Sequence, residues 1–190
     1  MVDDAMTVMR LAGDELEQAD PPLPFWAFPW AGGLALSRYL VEHPDEVADR
    51  HVLDLASGSG LCAIVAMRMG AASAQAVDID PLAEAAVALN AQANGVRIGF
   101  SPHDILDDPP PAADIVLAGD VCYEETMADR MLGWLRQAAR NGTRVLIGDP
   151  GRAYLPSDLL LLASFRVTTS RELEDSEAKT SAVYTFSGDA

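Results

Sequence analysis

Lysine is almost missing from this chain, which has one lysine, Lys179, beside twelve arginines. Its 13 basic residues face 29 acidic ones, so the formal net charge is −16. Nucleic-acid and anionic-membrane binding need a basic surface, so this balance predicts no nucleic acid and no membrane among the partners. The remaining composition is globular, with 49% hydrophobic residues among 190, which suffices for one domain with a substantial core.

Cysteine is also scarce, and long hydrophobic runs do not occur. Cys62 and Cys122 are too far apart for a C-x-x-C motif, so we expect no disulfide framework and a cytoplasmic location. We also expect a monomer. The three histidines lack metal-ligand spacing, which predicts no metal site. No apolar run approaches the ~18 residues that span a bilayer. The longest aliphatic patch, 159–163, is interpreted as a fragment of a buried helix at most.

Strands and helices alternate along most of the chain. We predict strands at 51–55, 74–79, 96–100, 114–118 and 144–148, and helices at 33–42, 61–69, 81–94 and 127–139. Such alternation favours right-handed crossovers and a parallel sheet covered on both faces. Two further strand-like runs, 165–170 and 182–186, predict a closing hairpin. The expected fold class is α/β, a doubly wound, Rossmann-like, mostly parallel seven-stranded sheet with an antiparallel C-terminal hairpin strand.

The first residues form a separate segment. Residues 3–18 have the pattern of an amphipathic helix, and the proline-rich stretch 20–24 ends it. The pattern therefore divides the chain into an N-terminal helical extension, residues 1–23, and one α/β domain, residues 24–190.

A glycine-rich loop follows the first predicted strand. Gly58, Gly60 and Ala63 fit the pattern G-x-G-x-x-G/A between a strand and a helix. Asp78 ends the second strand 20 residues after Gly58, a spacing at which a carboxylate reaches ribose hydroxyls. Together these features predict a nucleoside-type cofactor. The alternative is a tight turn and a solvated acid.

Acidic residues at strand ends indicate which cofactor this is. Asp54, Asp78, Asp104 and Asp120 all belong to the carboxyl edge, where doubly wound sheets bind ligands. Asp54 would repel a pyrophosphate at the helix N-terminus. S-adenosylmethionine, in contrast, carries an ammonium and a sulfonium and no phosphate. The chain also lacks a second domain for a hydride acceptor, so we predict S-adenosylmethionine rather than a dinucleotide.

Several motifs resemble known families. Residues 54–60, 77–81 and 113–117 resemble the seven-strand class I methyltransferases. Three further motifs, Pro-Phe-Trp-Ala-Phe-Pro-Trp-Ala-Gly-Gly at 24–33, Gly-Asp-Val-Cys-Tyr at 119–123 and Ile-Gly-Asp-Pro-Gly-Arg at 147–152, resemble the lysine methyltransferases of the electron-transfer flavoprotein β subunit, in particular their bacterial branch. The resemblance covers residue 24 to the end. It implies a class I domain that methylates lysines of a protein partner, with that β subunit as the candidate.

Other acceptors remain open, because class I methyltransferases share one scaffold among many substrates. The acceptor could be a ribosomal protein or a small-molecule amine. A catalytically inactive binding module would require loss of the donor site, and the intact glycine loop and Asp78 argue against it.

The resemblance places Asp120 and Tyr123, an Asp-x-x-Tyr motif, at the mouth where the target lysine enters, and we predict both as catalytic. A carboxylate favours the charged amine, so Asp120 is expected to bind and orient the lysine rather than to deprotonate it. The predicted cofactor-binding set is Trp30, Gly32, Asp54, Ala56, Ser57, Gly58, Gly60, Asp78, Ile79, Asp104 and Asp120. Class I enzymes often have glycine where Ala56 stands, and an acid at the position of Asp104 contacts adenine in them.

Four of the twelve aromatic residues fall within positions 25–30. Phe25 and Phe28 are expected in the core. Trp30 and the small residues after it are expected near the methionine end of the cofactor, where an aromatic face attracts a cation by ~0.5–2 kcal/mol.

Arg152 either guides a substrate carboxylate or forms a structural ion pair. The charged stretch 171–177 either contacts a basic protein surface or is a solvated loop.

Overall fold

The computed structural model describes residues 24–169 and 178–187. The predicted helix at 3–18 and the charged stretch 171–177 lie outside them. The strands are β1 (His51–Leu55), β2 (Ser73–Val77), β3 (Gly99–Ser101), β4 (Ile115–Gly119), β5 (Arg144–Asp149), β6 (Leu159–Thr168) and β7 (Ala178–Phe186). The helices are α1 (Ala31–Glu42), α2 (Leu61–Arg68), α3 (Leu82–Ala93) and α4 (Glu125–Arg140), with short 3-10 helices at Phe25–Ala27 and Pro44–Glu46.

The seven strands form one sheet in the order β3-β2-β1-β4-β5-β7-β6. Strands β1 to β5 are parallel, whereas β7 is antiparallel to both β5 and β6. The predicted doubly wound sheet with an antiparallel C-terminal hairpin is therefore confirmed. The order of the strands reverses between β1 and β4, which is the point where open α/β sheets bind ligands.

Strand β4 shows why the sheet is covered on both faces. Its first four residues are all buried, a pattern typical of parallel strands between two helical layers. Ile115 and Leu117 pack into the core under α1 and α2, while Val116 and Ala118 pack into the core under α4. No helix within the described ranges is long and apolar enough to cross a bilayer.

The aliphatic patch at 159–163 was interpreted as a helix fragment, and this was wrong. It forms the first half of β6, an edge strand, where Leu160 and Leu161 are 41% and 54% exposed. The pairing with β7 has a register shift between Leu161 and Ala163. A run of five apolar residues is too short for periodicity to separate helix from strand.

Glycines allow the first turn of α1 to touch the ends of β4 and β5 through backbone atoms. A Cβ atom on Gly32 would overlap the carbonyl oxygen of Gly148, and a Cβ atom on Gly148 would overlap that of Gly32. A Cβ atom on Gly119 would lie 3.0 Å from the Cα of Gly33. Helix α1 begins at Ala31, two residues before the predicted start, and this close approach fixes its position.

Gly148→Ala should destabilise the protein by about 1–3 kcal/mol or more, because the added methyl group meets backbone that cannot move without shifting α1. Gly133→Ala is the matched control, since a Cβ atom there, on an exposed part of α4, meets none of the described residues within 4 Å. That control should gain roughly 0.5–1 kcal/mol. Urea unfolding measures both, and equal stability of the two variants would contradict the contact described.

Candidate functional site

A cavity of about 570 Å³ opens at the carboxyl ends of the parallel strands. Its wall is built by the glycine loop after β1, the loops after β2, β3 and β4, and the aromatic segment, residues 25–30. The size is that of a small-molecule site. Ten of the predicted site residues line it: Trp30, Asp54, Ala56, Ser57, Gly58, Asp78, Ile79, Asp104, Asp120 and Tyr123.

Two predicted cofactor residues, Gly32 and Gly60, are not part of this wall. Gly32 is buried against Gly148, as described above. Gly60 has a φ of +78°, and a Cβ atom there would lie 3.0 Å from the side chain of Val87 on α3. Both glycines take part in the close packing of helices, and their contact with the donor stays a prediction.

Asp78 organises the glycine loop. Its Oδ2 accepts a hydrogen bond of 2.8 Å from the N–H of Gly58, and its Oδ1 accepts one of 3.0 Å from the N–H of Asp80. The sequence predicted only a ribose contact for Asp78, whereas the structure shows that it also shapes the loop. Ala56 has a φ of +53°, in the left-handed region that costs a non-glycine residue about 1–2 kcal/mol. Backbone strain of this kind is concentrated at functional sites.

Asp54 is 2% exposed on the cavity wall. Its Oδ2 accepts a hydrogen bond of 2.8 Å from the N–H of Ala63 in the first turn of α2. The pKa of Asp54 is raised to about 7, mainly by burial, which the bond from Ala63 opposes and the nearby Asp78 reinforces. The carboxyl therefore exchanges its proton near neutral pH, and a cation beside it would favour the ionised form.

Within the part of the chain that the structure describes, the buried indole Nε1 of Trp26 and the buried hydroxyl of Ser57, both on the wall, have no hydrogen-bond partner. Buried donors and acceptors are nearly always satisfied, so a polar ligand is expected to complete them. Together with the carboxylates of Asp54 and Asp78, these atoms suit a ligand that has both polar groups and positive charge.

The aromatic segment forms part of the cavity rim. The indole N–H of Trp30 donates to the carbonyl of Phe25 at 2.8 Å, and their ring centroids are 5.8 Å apart. The ring of Phe25 also lies 5.7 Å from that of Tyr123. Phe28 is buried as expected, but Phe25 is 43% exposed, so its assignment to the core was wrong. Its neighbours at the rim are Trp30 and Tyr123 rather than core residues.

Asp120 is held at the end of β4 from two sides. It is 7% exposed, and its φ of +58° turns the chain sharply. Its Oδ2 accepts from the N–H of Gly33 at 2.8 Å, and its Oδ1 accepts from Nη2 of Arg152 at 2.9 Å. Burial raises the pKa of Asp120 to about 6, while Arg152 and the bond from Gly33 lower it. Of the two interpretations of Arg152, the ion pair is the one in the structure.

A tight turn positions Arg152 for this pair. Oδ1 of Asp149 accepts from the N–H groups of Gly151 and Arg152, each at 2.7 Å. Tyr123 stands at the mouth, 46% exposed, and partial burial raises the pKa of its phenol. The Asp120–Arg152 pair joins residues 32 positions apart, so no local sequence pattern could have revealed it.

Asp104 lies on the opposite side of the cavity. Its Oδ1 accepts from the N–H of Leu106 at 3.0 Å, and its Oδ2 accepts from Arg130 of α4 at 3.0 Å. Arg130 also lines the cavity, as do Met127 and Met131 of the same helix. The sequence did not single out these three residues, because their spacing is that of an ordinary amphipathic helix.

Comparisons with known proteins identify the family of the chain. A family model described as ribosomal protein L11 methyltransferase (PrmA) matches residues 35–121. The electron transfer flavoprotein beta subunit lysine methyltransferase of Rattus norvegicus is 39% identical over 170 residues, covering 86% of this chain and 67% of that protein. The protein of the same name from Xenopus laevis is 38% identical over 170 residues, covering 86% and 69%. The chain belongs to this family of protein-lysine methyltransferases.

The fold agrees with that of solved methyltransferases. The magnesium protoporphyrin IX methyltransferase from Synechocystis PCC 6803 with bound SAH superposes with a TM-score of 0.60, covering 98% of this chain and 89% of that chain. Its sequence identity is 15%, so this likeness concerns the fold alone. Members of this family use S-adenosylmethionine, and so does this enzyme. The ammonium and sulfonium of S-adenosylmethionine are positively charged, which suits the acidic, incompletely hydrogen-bonded wall of the cavity.

Asp78→Ala should weaken binding of the donor at least about tenfold, because it removes both the predicted ribose acceptor and the bond that holds Gly58, each worth on the order of 1 kcal/mol or more. Asp45→Ala, an exposed acid in the 3-10 helix before β1, is the charge-matched control and should bind normally. Calorimetry with S-adenosylhomocysteine measures both. Unchanged affinity in Asp78→Ala would exclude this residue from the site.

Donor affinity should also rise with pH. A cationic ligand favours ionised Asp54, whose pKa is about 7, and the ionised fraction of such a group rises roughly eightfold between pH 6 and pH 7.5. Affinity for S-adenosylhomocysteine should therefore increase by a similar factor over that range. Asp54→Asn should bind weakly at both values and lose most of the slope. An equal slope in the two proteins would assign the titration to another group.

Proposed function

We propose that this protein-lysine methyltransferase modifies the beta subunit of an electron transfer flavoprotein. One observation carries the proposal: the three motifs that resemble this particular family lie together at the cavity mouth. The aromatic segment contacts the Asp-x-x-Tyr motif through the rings of Phe25 and Tyr123, at 5.7 Å. The Asp-x-x-Tyr motif contacts the turn at 149–152 through the ion pair of Asp120 with Arg152, at 2.9 Å. These motifs are separate from the glycine loop, which methyltransferases of many specificities share.

We propose that the donor is held by the nine predicted cofactor-binding residues on the cavity wall. Asp78 is assigned to the ribose, Asp54 to the ammonium, and the loop of Asp104 to the adenine. Both oxygens of Asp104 already accept hydrogen bonds from Leu106 and Arg130, so Arg130 fixes the loop against which the adenine would lie.

When bound, S-adenosylmethionine supplies an electrophilic methyl group on a positively charged sulfur. The task of the chain is to present a neutral lysine amine in line with it. Free lysine has a pKa of ~10.4, so only about one amine in 2,500 is neutral at pH 7. The rings of Phe25, Trp30 and Tyr123 exclude water from the lysine side chain, and desolvation lowers its pKa. Alignment of the two reactants contributes up to ~7–11 kcal/mol.

Asp120 is suited to orient the lysine. Because Arg152 already balances the charge of Asp120, Asp120 can hydrogen-bond the lysine amine without strongly favouring the protonated form of that amine. Its own pKa of about 6 is far below that of lysine, which makes it a poor base. We therefore assign Asp120 to orientation of the nucleophile, with Arg152 and Gly33 holding it in place.

Asp120→Asn should bind S-adenosylhomocysteine almost normally and lose at least about tenfold in turnover, because a misplaced amine loses part of the alignment contribution. Tyr123→Phe should be milder, a loss of about two- to tenfold, if the phenol adds one hydrogen bond worth ~0.5–1.5 kcal/mol. Donor binding and lysine methylation are measured on the same preparations. Wild-type turnover in Asp120→Asn would contradict its place beside the lysine.

Mass spectrometry of purified electron transfer flavoprotein after incubation with the enzyme and donor tests the function directly. We expect methylated lysines on its beta subunit. The similarity to ribosomal protein L11 methyltransferases covers residues 35–121, which hold the glycine loop but stop before Tyr123 and the turn at 149–152. It therefore supports the donor site more than the acceptor. Label found only on a ribosomal protein or a small amine would contradict the proposed acceptor.

We further propose that the enzyme acts in the cytoplasm as a monomer, with residues 1–23 as an extension of the catalytic domain at 24–190. Cys62 and Cys122 are both buried and free, as expected in a reducing compartment. The excess of acidic residues supports a protein partner rather than nucleic acid or a membrane surface.

A further inference from the structure

Helix α3 has an apolar row of side chains on its outer side. Leu82 and Leu89 are 61% and 66% exposed, and they lie seven positions apart, which places them on one face of the helix. Ala86 and Ala93 belong to the same face, and we call these four residues the α3 stripe. A different face of α3 packs into the core through Ala83, Val87 and Ala91. Helix α3 therefore has two apolar faces, one in the core and one in contact with solvent.

The α3 stripe carries no charged side chain. Glu84 is the single charged residue of α3, and because it is two positions from Leu82 it lies on nearly the opposite side of the helix. Ile79, three positions before Leu82, is 72% exposed and lines the main cavity. The stripe thus begins beside the cavity. Single exposed leucines are ordinary, but a continuous apolar row is typical of a surface that binds another segment.

The N-terminal extension, residues 1–23, joins the domain beside this helix. The 3-10 helix Phe25–Ala27 contacts α3, and Pro24 just before it is buried. The proline-rich stretch 20–24 spans at most roughly 17 Å when extended. Helix α3 has 12 residues and is about 18 Å long. The helix that the sequence predicts at 3–18 is therefore tethered within reach of the whole α3 stripe.

The sequence of the extension complements the stripe. Met9 and Leu16 are seven positions apart, as Leu82 and Leu89 are, and in a helix Met6 belongs to their face. The other side of that predicted helix holds acidic residues, among them Asp3, Asp4, Asp14 and Glu15. Contact between the two apolar faces would remove both from water and leave these acids in solvent.

We propose that the N-terminal extension docks on the α3 stripe as an amphipathic helix, with Met9 and Leu16 packed along Leu82 and Leu89. The docked helix anchors the aromatic segment, because residues 25–30 follow the extension directly. The backbone of Trp26 already lies against the glycine loop, where a Cβ atom on Gly58 would be 3.4 Å from its Cα. The extension is thereby coupled to the wall of the donor cavity.

Trypsin digestion of the full-length enzyme tests the docking. Arg10 is the one basic residue of the extension, and the next along the chain is Arg38, so the first cut reports on the extension alone. A docked helix is cleaved when it detaches, and the rate follows the detached population. We expect cleavage at Arg10 to be at least about tenfold slower in the enzyme than in a peptide of residues 1–23.

Leu89→Glu should raise the cleavage rate at Arg10 at least about fivefold, because it places a charge in the contact. Leu16→Glu should do the same from the side of the extension. The double variant should exceed either single variant by much less than the product of their effects, as expected for residues that share one contact.

Val41→Glu is the matched control, since Val41 is 54% exposed on α1, away from the stripe. It should keep the wild-type cleavage rate. Arg68 in α2 and Arg136 in α4 should stay resistant to trypsin in every variant, which shows that the domain remains folded.

Cleavage at Arg10 as fast in the enzyme as in the free peptide would overturn the proposal. Equal rates in Leu89→Glu and the wild type would also overturn it, and two further measurements then name the occupant. A wild-type dimer that Leu89→Glu dissociates in analytical ultracentrifugation would make it a second copy of the chain. A raised KM for the acceptor in Leu89→Glu would make it the acceptor protein.

Discussion

The first turn of α1 lies directly on the ends of β4 and β5, and the geometry of the active site depends on this backbone contact. Gly32, Gly119 and Gly148 leave no side chains between the helix and the sheet. The N–H of Gly33, one of the first-turn donors that a helix cannot satisfy internally, therefore reaches the carboxylate of Asp120. The aromatic segment leads straight into this turn, so the same contact sets its place over the cavity.

The site separates its two tasks between two parts of the sheet. Asp54 at the end of β1, the glycine turn that follows it and Asp78 after β2 line the part of the cavity that suits the donor. Asp120 and Arg152 follow β4 and β5 and form an ion pair, and we assign them to the acceptor side. Burial raises the pKa of both Asp54 and Asp120, so each carboxylate depends on a neighbouring donor or cation to hold its charge. Binding of cationic reactants is thereby coupled to the protonation of the site.

The sequence predicted what is local. Alternating apolar runs revealed five parallel strands, and the loop around Gly58 together with Asp78 indicated a nucleoside site. The sequence did not reveal the helix contacts of Gly32 and Gly60, because a glycine needed for a helix contact has the same local signature as one facing a ligand. Phe25 was misplaced for a related reason, since hydrophobicity alone does not distinguish a cavity rim from a core.

The contacts that define the acceptor side connect distant positions. Asp120 meets residues 87 positions earlier and 32 positions later, so their partnership appears only after folding. Arg130 belongs to a helix whose amphipathic pattern explains it without any ligand. In contrast, the family resemblance did draw attention to Asp120, Tyr123 and the turn at 149–152, and the structure brings these three together at one mouth.

The most direct test is a crystal structure of the enzyme with S-adenosylhomocysteine. The account predicts the ribose hydroxyls on Asp78, the ammonium beside Asp54, and the sulfur facing the side of the cavity formed by Asp120 and Tyr123. In that arrangement a lysine entering at the mouth meets the methyl position in line. A ligand bound elsewhere, or a sulfur turned away from Asp120, would contradict the assignment of donor and acceptor sides.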